Sequence, residues 1–184
     1  SMTNNIKLQE VCKQLHIPVV GTTSWPLPRE AREILRESNP CPFTAADLEE
    51  RLIGTSEFMP RSAIVCLFPY HVPHENPTNL SRYTWATDYH LVVTDYLQRL
   101  VDELKTTAPD ASFSIHCDTS PLADRYMAYL AGLGFYGKNK CFINPTWGSY
   151  IVIGTVLTTL EFESNTPMTD TCMGCNRCIT SCLG

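Results

Sequence analysis

Residues 112–139 carry the sequence SFSIHCDTSPLADRYMAYLAGLGFYGKN. Within this stretch, residues 112–117 alternate apolar and polar side chains, which predicts a strand. Residues 121–132 begin with Pro121 and end with Gly132, the usual start and stop signals of a helix, and a glycine-rich turn follows. A strand, a helix and a further extended run in succession predict a mixed α/β domain.

The flanking sequence extends this α/β pattern in both directions. Residues 80–104 place large apolar side chains on one stripe, a strong helix signal, and residues 62–69 form the continuous apolar run of a buried strand. The polar segment near residue 165 divides the chain into a domain at 1–165 and a cysteine-rich segment at 166–184. Further helices are predicted at 6–16, 28–37 and 44–53, a strand end with a loop at 19–28, and strands at 141–144 and 149–160.

Composition limits the class of protein. The 184 residues include 14 Lys and Arg against 19 Asp and Glu, a formal charge of −5, with 43% hydrophobic and 18% charged side chains. This composition is typical of a globular protein with a core, and the acidic balance lacks the basic footprint of a nucleic-acid-binding domain. We find neither a signal peptide nor an apolar run long enough to span a bilayer, so a reducing, cytoplasmic location is expected.

The nine cysteines are unusual, because an odd number fits poorly with a disulfide framework. Four of them form a C-x2-C-x2-C-x3-C array with the spacing of bacterial ferredoxins, which favours a 4Fe-4S cluster. Zinc is the less favoured alternative, since structural zinc sites usually pair two C-x2-C knuckles across a longer gap. The array consists of Cys172, Cys175, Cys178 and Cys182, whereas buried, inert thiols are expected at Cys12, Cys41, Cys66, Cys117 and Cys141.

The end of the array departs from the ferredoxin pattern. In two-cluster ferredoxins the fourth cysteine of such a run binds the other cluster. No second cysteine run follows Cys182, and Leu183 stands where a proline is usual. We therefore expect residues 166–184 to form an incomplete ferredoxin-type segment of a chain that is truncated at its C-terminus.

A G-x-G-x-x-G pattern lies at Gly132, Gly134 and Gly137. The dinucleotide-binding fingerprint requires a strand before these glycines and a helix after them. Here the predicted order is reversed, so the pattern does not predict a Rossmann fold. A helix C-cap with a tight turn accounts for the glycines, and close approach of this backbone to a ligand stays open.

Two charged residues lie near the start of the helix at 121–132. Asp118 follows the predicted strand, a common place for a functional carboxylate, although its local sequence favours an N-cap role. Arg125 lies two turns further along the same helix face, within reach of Asp118 or an anion. His90 and His116 lack a partner at ligand spacing and are not assigned to a metal.

Taken in order, these motifs resemble those of epoxyqueuosine reductases. The motifs are DTSPLADR from residue 118, GLGFYGKN from 132, NPTWGSYIVIGTVLTTLE from 144 and the cysteine array, preceded by SRY at 81–83 and DYH at 88–90. The resemblance is strong over about residues 60–182. A wider resemblance extends to cobalamin-dependent reductive dehalogenases, whose cobalamin-binding domain is similar.

This resemblance implies an α/β (α+β) fold, with a mixed-sheet cobalamin-binding domain before a ferredoxin-like segment. It implies reduction of epoxyqueuosine to queuosine in tRNA. The implied cofactors are cobalamin and two 4Fe-4S clusters, and an external donor supplies the electrons. By the same resemblance, Asp118 is the general acid and Arg125 an active-site residue. The implied corrin contacts are Asn139, Phe142 and Ile153; the cluster nearer the cobalamin is held by Cys172, Cys175 and Cys178, and the other cluster by Cys182.

Two alternatives remain compatible with the residues. One is an iron–sulfur electron carrier, or a related reductase that acts on a different small substrate. The other is an α/β domain whose cysteine segment is disordered and which has no activity alone. Asp118, Arg125 and the turn around Asn139 favour the reductase, because an electron carrier needs no such cavity.

Overall fold

The computed structural model of this protein describes residues 2–25, 57–69, 79–117, 121–137, 142–148 and 150–168. In these ranges the chain forms three helices and six strands. The helices are α1 (Met2–Gln14), α2 (Asn79–Thr107) and α3 (Pro121–Leu130). The strands are β1 (Val19–Ser24), β2 (Ser62–Pro69), β3 (Phe113–Cys117), β4 (Phe135–Tyr136), β5 (Phe142–Ile143) and β6 (Ile151–Thr158).

The local sequence predictions are confirmed where the structure describes them. Strand β2 coincides with 62–69, and α2 contains the whole of 80–104. Helix α1 begins four residues before its predicted start at residue 6, and β5 is shorter than the strand predicted at 141–144. The helices predicted at 28–37 and 44–53 lie outside the described residues, as does the cysteine array, so the domain division at residue 165 stays a prediction. No helix in the described ranges is long and apolar enough to cross a membrane.

Four of the strands form one sheet in the order β1-β2-β6-β3. Ile64 of β2 pairs with Val156 of β6, and Ile115 of β3 pairs with the same residue from the other side. Strand β2 is buried along nearly its whole length, which explains its continuous apolar sequence. Strands β4 and β5 form a separate two-stranded sheet.

The pairing of the described strands differs from the mixed sheet that the resemblance implies. Each of the three described pairings in the four-stranded sheet is antiparallel. Strands β2 and β3 run in the same direction and are joined through α2, as the α/β alternation in the sequence indicates. However, β6 lies between them and pairs antiparallel with both, so these three strands form no parallel ladder among themselves.

One face of the sheet packs against α1 and α2. Val93, Leu97 and Leu100 on α2 are fully buried against this face. Gly154 at the middle of β6 allows the close approach, since a Cβ atom there would lie 2.6 Å from Leu97 Cδ1. The other members of this core include Leu8, Val11 and Cys12 of α1, with Ile64, Cys66 and Val156 of the sheet.

The opposite face packs against α3. This second core joins Tyr126, Met127 and Leu130 to sheet residues that include Val65, Leu67 and Leu157. Helix α3 ends in a Schellman motif: Leu133 N donates to Ala128 O (3.0 Å), and Gly132 N donates to Tyr129 O (3.0 Å). Gly132 has a φ of 74°, the left-handed conformation that this motif requires. The predicted helix C-cap is thus confirmed.

Candidate active site

Three strand ends meet at one edge of the four-stranded sheet. Pro69, the last residue of β2, pairs with Ile151, the first residue of β6. Cys117, the last residue of β3, pairs with Gly154, three residues further along β6. We call this region, defined by Pro69, Cys117 and Ile151–Ile153, the site edge. Ligands of open α/β sheets commonly bind outside the carboxyl ends of strands, and two of these strand ends are carboxyl ends.

The predicted catalytic residues belong to the connection that leaves this edge. Asp118 directly follows Cys117 in the sequence and lies outside the described residues. Arg125 is placed in the second turn of α3, half-buried, next to Asp124, which is only 8% exposed. Because Cys117 pairs with the neighbour of Ile153, the chain enters the Asp118 connection beside a predicted cofactor contact.

Phe142 and Ile153 are the predicted cofactor contacts that the structure describes. Their exposed fractions are 2% and 6%, so both side chains pack inside the core on the α3 face. Phe142 makes an edge-on contact with Tyr136, at 5.8 Å between ring centroids. Both are therefore core residues in this structure, and their contact with a corrin stays a prediction. Asn139 lies between β4 and β5, outside the described residues.

Close packing requires a glycine at the second glycine position of the turn, Gly134. A Cβ atom at Gly134 would lie 2.4 Å from Phe142 Cζ and 2.5 Å from the carbonyl oxygen of Ile143. Helix α3 precedes this turn and β4 follows it, so the order of elements that excluded a Rossmann fold is confirmed. Gly132 thus ends the helix and Gly134 leaves space for the ring of Phe142, so both glycines have a structural role.

Asn144 is a buried polar residue that the sequence interpretation missed. It is 5% exposed, and its Nδ2 donates to Leu133 O at 2.7 Å. Its Oδ1 accepts from the backbone nitrogens of Thr146 (3.0 Å) and Trp147 (2.9 Å). One side chain therefore ties the glycine-rich turn to the turn that leads into β6. An Asn before Pro is a recognisable turn signal, but its long-range bond is not visible in the sequence.

A polar pair on β3 lies next to the site edge. Ser114 Oγ and His116 Nε2 are 2.8 Å apart, and the two residues lie opposite Leu157 and Thr155 of β6. Leu157 belongs to the core under α3, so the pair lies on the α3 face. Burial lowers the pKa of His116 from its ordinary value of 6.5, which favours a neutral imidazole. The alternation of polar and apolar side chains at 112–117 was the sequence signal that Ser114 and His116 share one face of the strand.

The residues at the site edge suit a large apolar ligand. Val19, Tyr136 and Ile151 are partly buried and pack against the α3-side core, and Val19 and Ile151 lie near this end of the sheet. Partly exposed apolar side chains around a few polar groups are typical of cofactor sites. The four cysteine thiolates of the array have the donor chemistry of an iron–sulfur cluster, although they lie outside the described residues. Among the described residues no group of three or more His, Cys, Asp or Glu converges on a metal position.

A cavity at the other end of β3 is separate from this edge. It has a volume of about 460 Å³ and contains none of the predicted site residues. Because its lining includes Glu57 and Lys105, which have opposite charges, the cavity favours neither an anionic nor a cationic ligand. Its remaining lining residues are Phe58, Ala111, Ser112, Phe113 and Ser114.

Comparison with solved structures defines the class. A reductive dehalogenase, described in connection with B12-dependent dehalogenation, superposes with a TM-score of 0.57 at 14% identity, over 89% of this chain and 20% of its own. An epoxyqueuosine reductase from Bacillus subtilis superposes with a TM-score of 0.68 at 25% identity, over 98% of this chain and 52% of its own. The fold is thus the α/β fold common to these two kinds of reductase.

Sequence comparison narrows this class to one family. Residues 56–119 match the family model described as "Epoxyqueuosine reductase QueG, DUF1730". The epoxyqueuosine reductase of Gloeobacter violaceus is 34% identical over 140 residues, which cover 74% of this chain and 42% of the relative. That of Bacillus cereus is 41% identical over 101 residues, 55% of this chain and 27% of the relative. Over these residues the chain is similar to epoxyqueuosine reductases, and it spans less than half the length of these two relatives.

Proposed function

We propose that this chain carries out, as part of a complete enzyme, the reduction of epoxyqueuosine to queuosine in tRNA. The observation that carries the proposal is the site edge, where the chain leaves β3 toward Asp118 beside the start of β6. The family match over residues 56–119 includes the ends of β2 and β3 and Asp118. Removal of an epoxide oxygen as water requires two electrons, two protons and a protected site, and a strand-end edge offers a place to combine them.

In this proposal Asp118 is the general acid. A carboxylic acid at the epoxide oxygen protonates it as the C–O bond breaks, so that no bare alkoxide is expelled. Arg125, half-buried one helical turn inside α3, lies at the same end of the connection and provides a fixed positive charge for the active site. Burial lowers the pKa of His116, two residues before Asp118, and thereby disfavours a second positive charge on this side chain.

Cobalamin and iron–sulfur clusters are the proposed cofactors. Cobalamin supplies a strongly reducing metal atom when bound, and the clusters supply single electrons. Asn139, Phe142 and Ile153 are the proposed corrin neighbours, with the last two acting from the core. Cys172, Cys175 and Cys178 are proposed to hold the nearer cluster, and Cys182 the other.

The proposed partners are tRNA and an external electron donor in the cytoplasm. A solved epoxyqueuosine reductase contains an epoxyqueuosine-modified stem loop of a tyrosine tRNA; it superposes with a TM-score of 0.67 at 24% identity, over 97% of this chain and 51% of its own. The formal charge of −5 on this chain provides little attraction for phosphates. We therefore propose that most of the tRNA contact is made by parts of the enzyme other than the described domain.

The test is the Asp118→Ala variant of the complete enzyme, reconstituted anaerobically with both cofactors. We expect cobalamin binding to persist and turnover of an epoxyqueuosine-containing stem loop to fall by about 10²–10⁴, the usual contribution of a general acid. Product is measured by mass spectrometry of nucleosides, and cobalamin by its visible spectrum. The matched control is Asp110→Ala, an exposed carboxylate before β3, which should leave turnover unchanged.

Two outcomes would contradict the proposal. Undiminished turnover of the Asp118→Ala variant would remove the general acid. Iron uptake without any corrin spectrum in the unaltered enzyme would favour the electron carrier instead of the reductase.

A further inference from the structure

The segment that leads from β6 toward the cysteine array is held along the outer edge of β1. We call residues 161–166 the strap. Strand β1 is the last strand on its side of the described sheet, so its outer backbone groups have no strand partner there. The strap takes that place: Asn165 N donates to Thr22 O at 2.8 Å, and Ser24 N donates to Ser164 Oγ at 2.5 Å. Proteins often cover an edge strand with another segment. A few hydrogen bonds are enough for that purpose, and this strap makes more.

The side chains of Asn5 and Thr22 hydrogen-bond both backbone polar groups of Glu163, in the middle of the strap. The amide of Asn5 on α1 accepts from Glu163 N (2.8 Å) and donates to Glu163 O (3.1 Å), as a neighbouring strand would. Thr22 Oγ1 donates to the same Glu163 oxygen at 2.5 Å, and Thr22 is only 1% exposed. Asn5 Nδ2 also lies 3.3 Å from Thr22 Oγ1. A helix, a strand and the strap are therefore joined at one point.

Both ends of the strap are also fixed. At its start, Phe162 is buried and its nitrogen donates to Ser62 Oγ at 2.9 Å. At its end, Thr166 O lies so close to the α3 C-terminal turn that a Cβ atom on Gly132 would approach it to 2.6 Å. The strap thus passes directly against the turn that continues toward Asn139, a proposed corrin neighbour.

We propose that Asn5 and Thr22 are positioning residues for the iron–sulfur centre, because they fix the point from which the chain runs into the cysteine array. This inference rests on the proposed function, since it requires the array to hold a cluster. Cys172 lies six positions after Thr166, with five residues between them, and such a tether spans at most about 21 Å. An anchored short tether restricts where the cluster lies, and functional groups are most precise when rigid elements hold them.

The test uses the complete enzyme, loaded anaerobically with ferrous iron and sulfide, and four variants. Thr22→Val removes the hydroxyl and keeps the shape, Thr22→Ser restores the hydroxyl, Asn5→Ala removes the amide, and Gln9→Ala is an exposed control on the same helix. Two readouts are cluster-specific: the rate of iron loss to a chelator, and the magnetic coupling between the reduced cluster and bound cob(II)alamin. Hydrogen exchange at the amides of Glu163 and Asn165 reports whether the strap is released.

We expect Thr22→Val and Asn5→Ala to raise strap exchange and iron loss about five-fold each, the size of one net hydrogen bond, and to broaden the magnetic coupling. Thr22→Ser and Gln9→Ala should match the unaltered enzyme. If the strap is released but iron loss and coupling do not change, the strap only covers an edge and the inference is wrong. If the unaltered enzyme takes up no iron, the proposed function of the array fails, and the inference fails with it. Asn5 is half-buried on a helix surface, so its variant serves if Thr22→Val does not fold.

Discussion

Thr155 places a hydroxyl in the middle of the sheet. It is 1% exposed on β6, between the core residues Ile153 and Leu157, and opposite His116. Its Oγ1 has no hydrogen-bond partner among the described residues. A buried hydroxyl without a partner carries a desolvation cost that an apolar group of the same shape avoids. Thr155 therefore lowers the stability of the domain at this position.

We expect Thr155→Val to raise the free energy of unfolding by about 1 kcal/mol, because the uncompensated hydroxyl is removed at constant volume. Urea denaturation of the domain measures the change. Thr158→Val is the matched control on the same strand, since Thr158 Oγ1 accepts a bond from Leu160 N at 3.2 Å. That variant should lose stability. A loss of 1 kcal/mol or more in Thr155→Val would show that its hydroxyl has a partner in solution.

His116 introduces a pH dependence of stability. Burial lowers its pKa below 6.5 in the folded protein, so the unfolded chain takes up a proton first as the pH falls. Its effect is absent above pH 6.5, grows as the pH falls below that value, and is complete below the folded pKa. We therefore expect the protein to lose more stability than a His116→Gln variant between about pH 7.5 and about pH 5.5. Thermal unfolding at each pH measures this, and equal losses would contradict the assignment.

At the scale of elements, α2 packs closely against β6 on the sheet face that bears α1 and α2. Gly154 provides the space, with Leu97 Cδ1 at 2.6 Å and Val93 Cγ1 at 3.0 Å from the position of a Cβ atom. Both side chains are fully buried, so they have little freedom to move aside. The glycine weakens β6 by its own flexibility but allows the long helix to cover the sheet.

We expect Gly154→Ala to lower the free energy of unfolding by about 1–3 kcal/mol, the usual cost of overpacking a core. A second substitution, Leu97→Ala, should reduce that cost, because it empties the space the new methyl group enters. A double-mutant cycle by urea denaturation measures the coupling. Strict additivity of the two changes would show that the helix and strand do not meet at this point.

The thiols of Cys12 and Cys66 join α1 to β2. Both are buried, and the hydrogen bond that the Cys66 thiol donates to Cys12, together with burial, raises the pKa of the Cys66 thiol. A thiol that keeps its proton is a poor nucleophile and a poor metal ligand. The prediction of buried thiols is confirmed for these two, whereas Cys117 is half-buried and Cys41 and Cys141 lie outside the described residues.

At the scale of the whole molecule, the sheet separates two cores. Helices α1 and α2 cover one face and α3 covers the other, so the faces of the sheet are occupied by packing. The strand ends remain as the part of the sheet where functional groups are accessible. Of the predicted site residues, Ile153 lies at this edge, and the connection that contains Asp118 starts from it.

The local elements could be predicted from the sequence because their signals come from neighbours in the chain. The apolar stripe at 80–104 is a repeat of three and four residues, and the run at 62–69 is a short apolar stretch between turn signals. The glycine-rich turn was assigned correctly to a C-cap, since the helix before it is visible in the sequence. The long-range bonds of Asn144 to Leu133 and of Asn5 to Glu163 leave no such local signal.

By itself, the sequence determined the kind of each described main element, the cysteine spacing and the family resemblance, because these depend on residues close together in the chain. The tertiary structure alone decided that β6 lies between β2 and β3, and therefore that these described strands pair antiparallel. It also decided that Phe142 and Ile153 are buried and that the strap binds β1. Strand order and edge contacts depend on which apolar faces bury each other across long chain separations, and local periodicity carries no information about that choice.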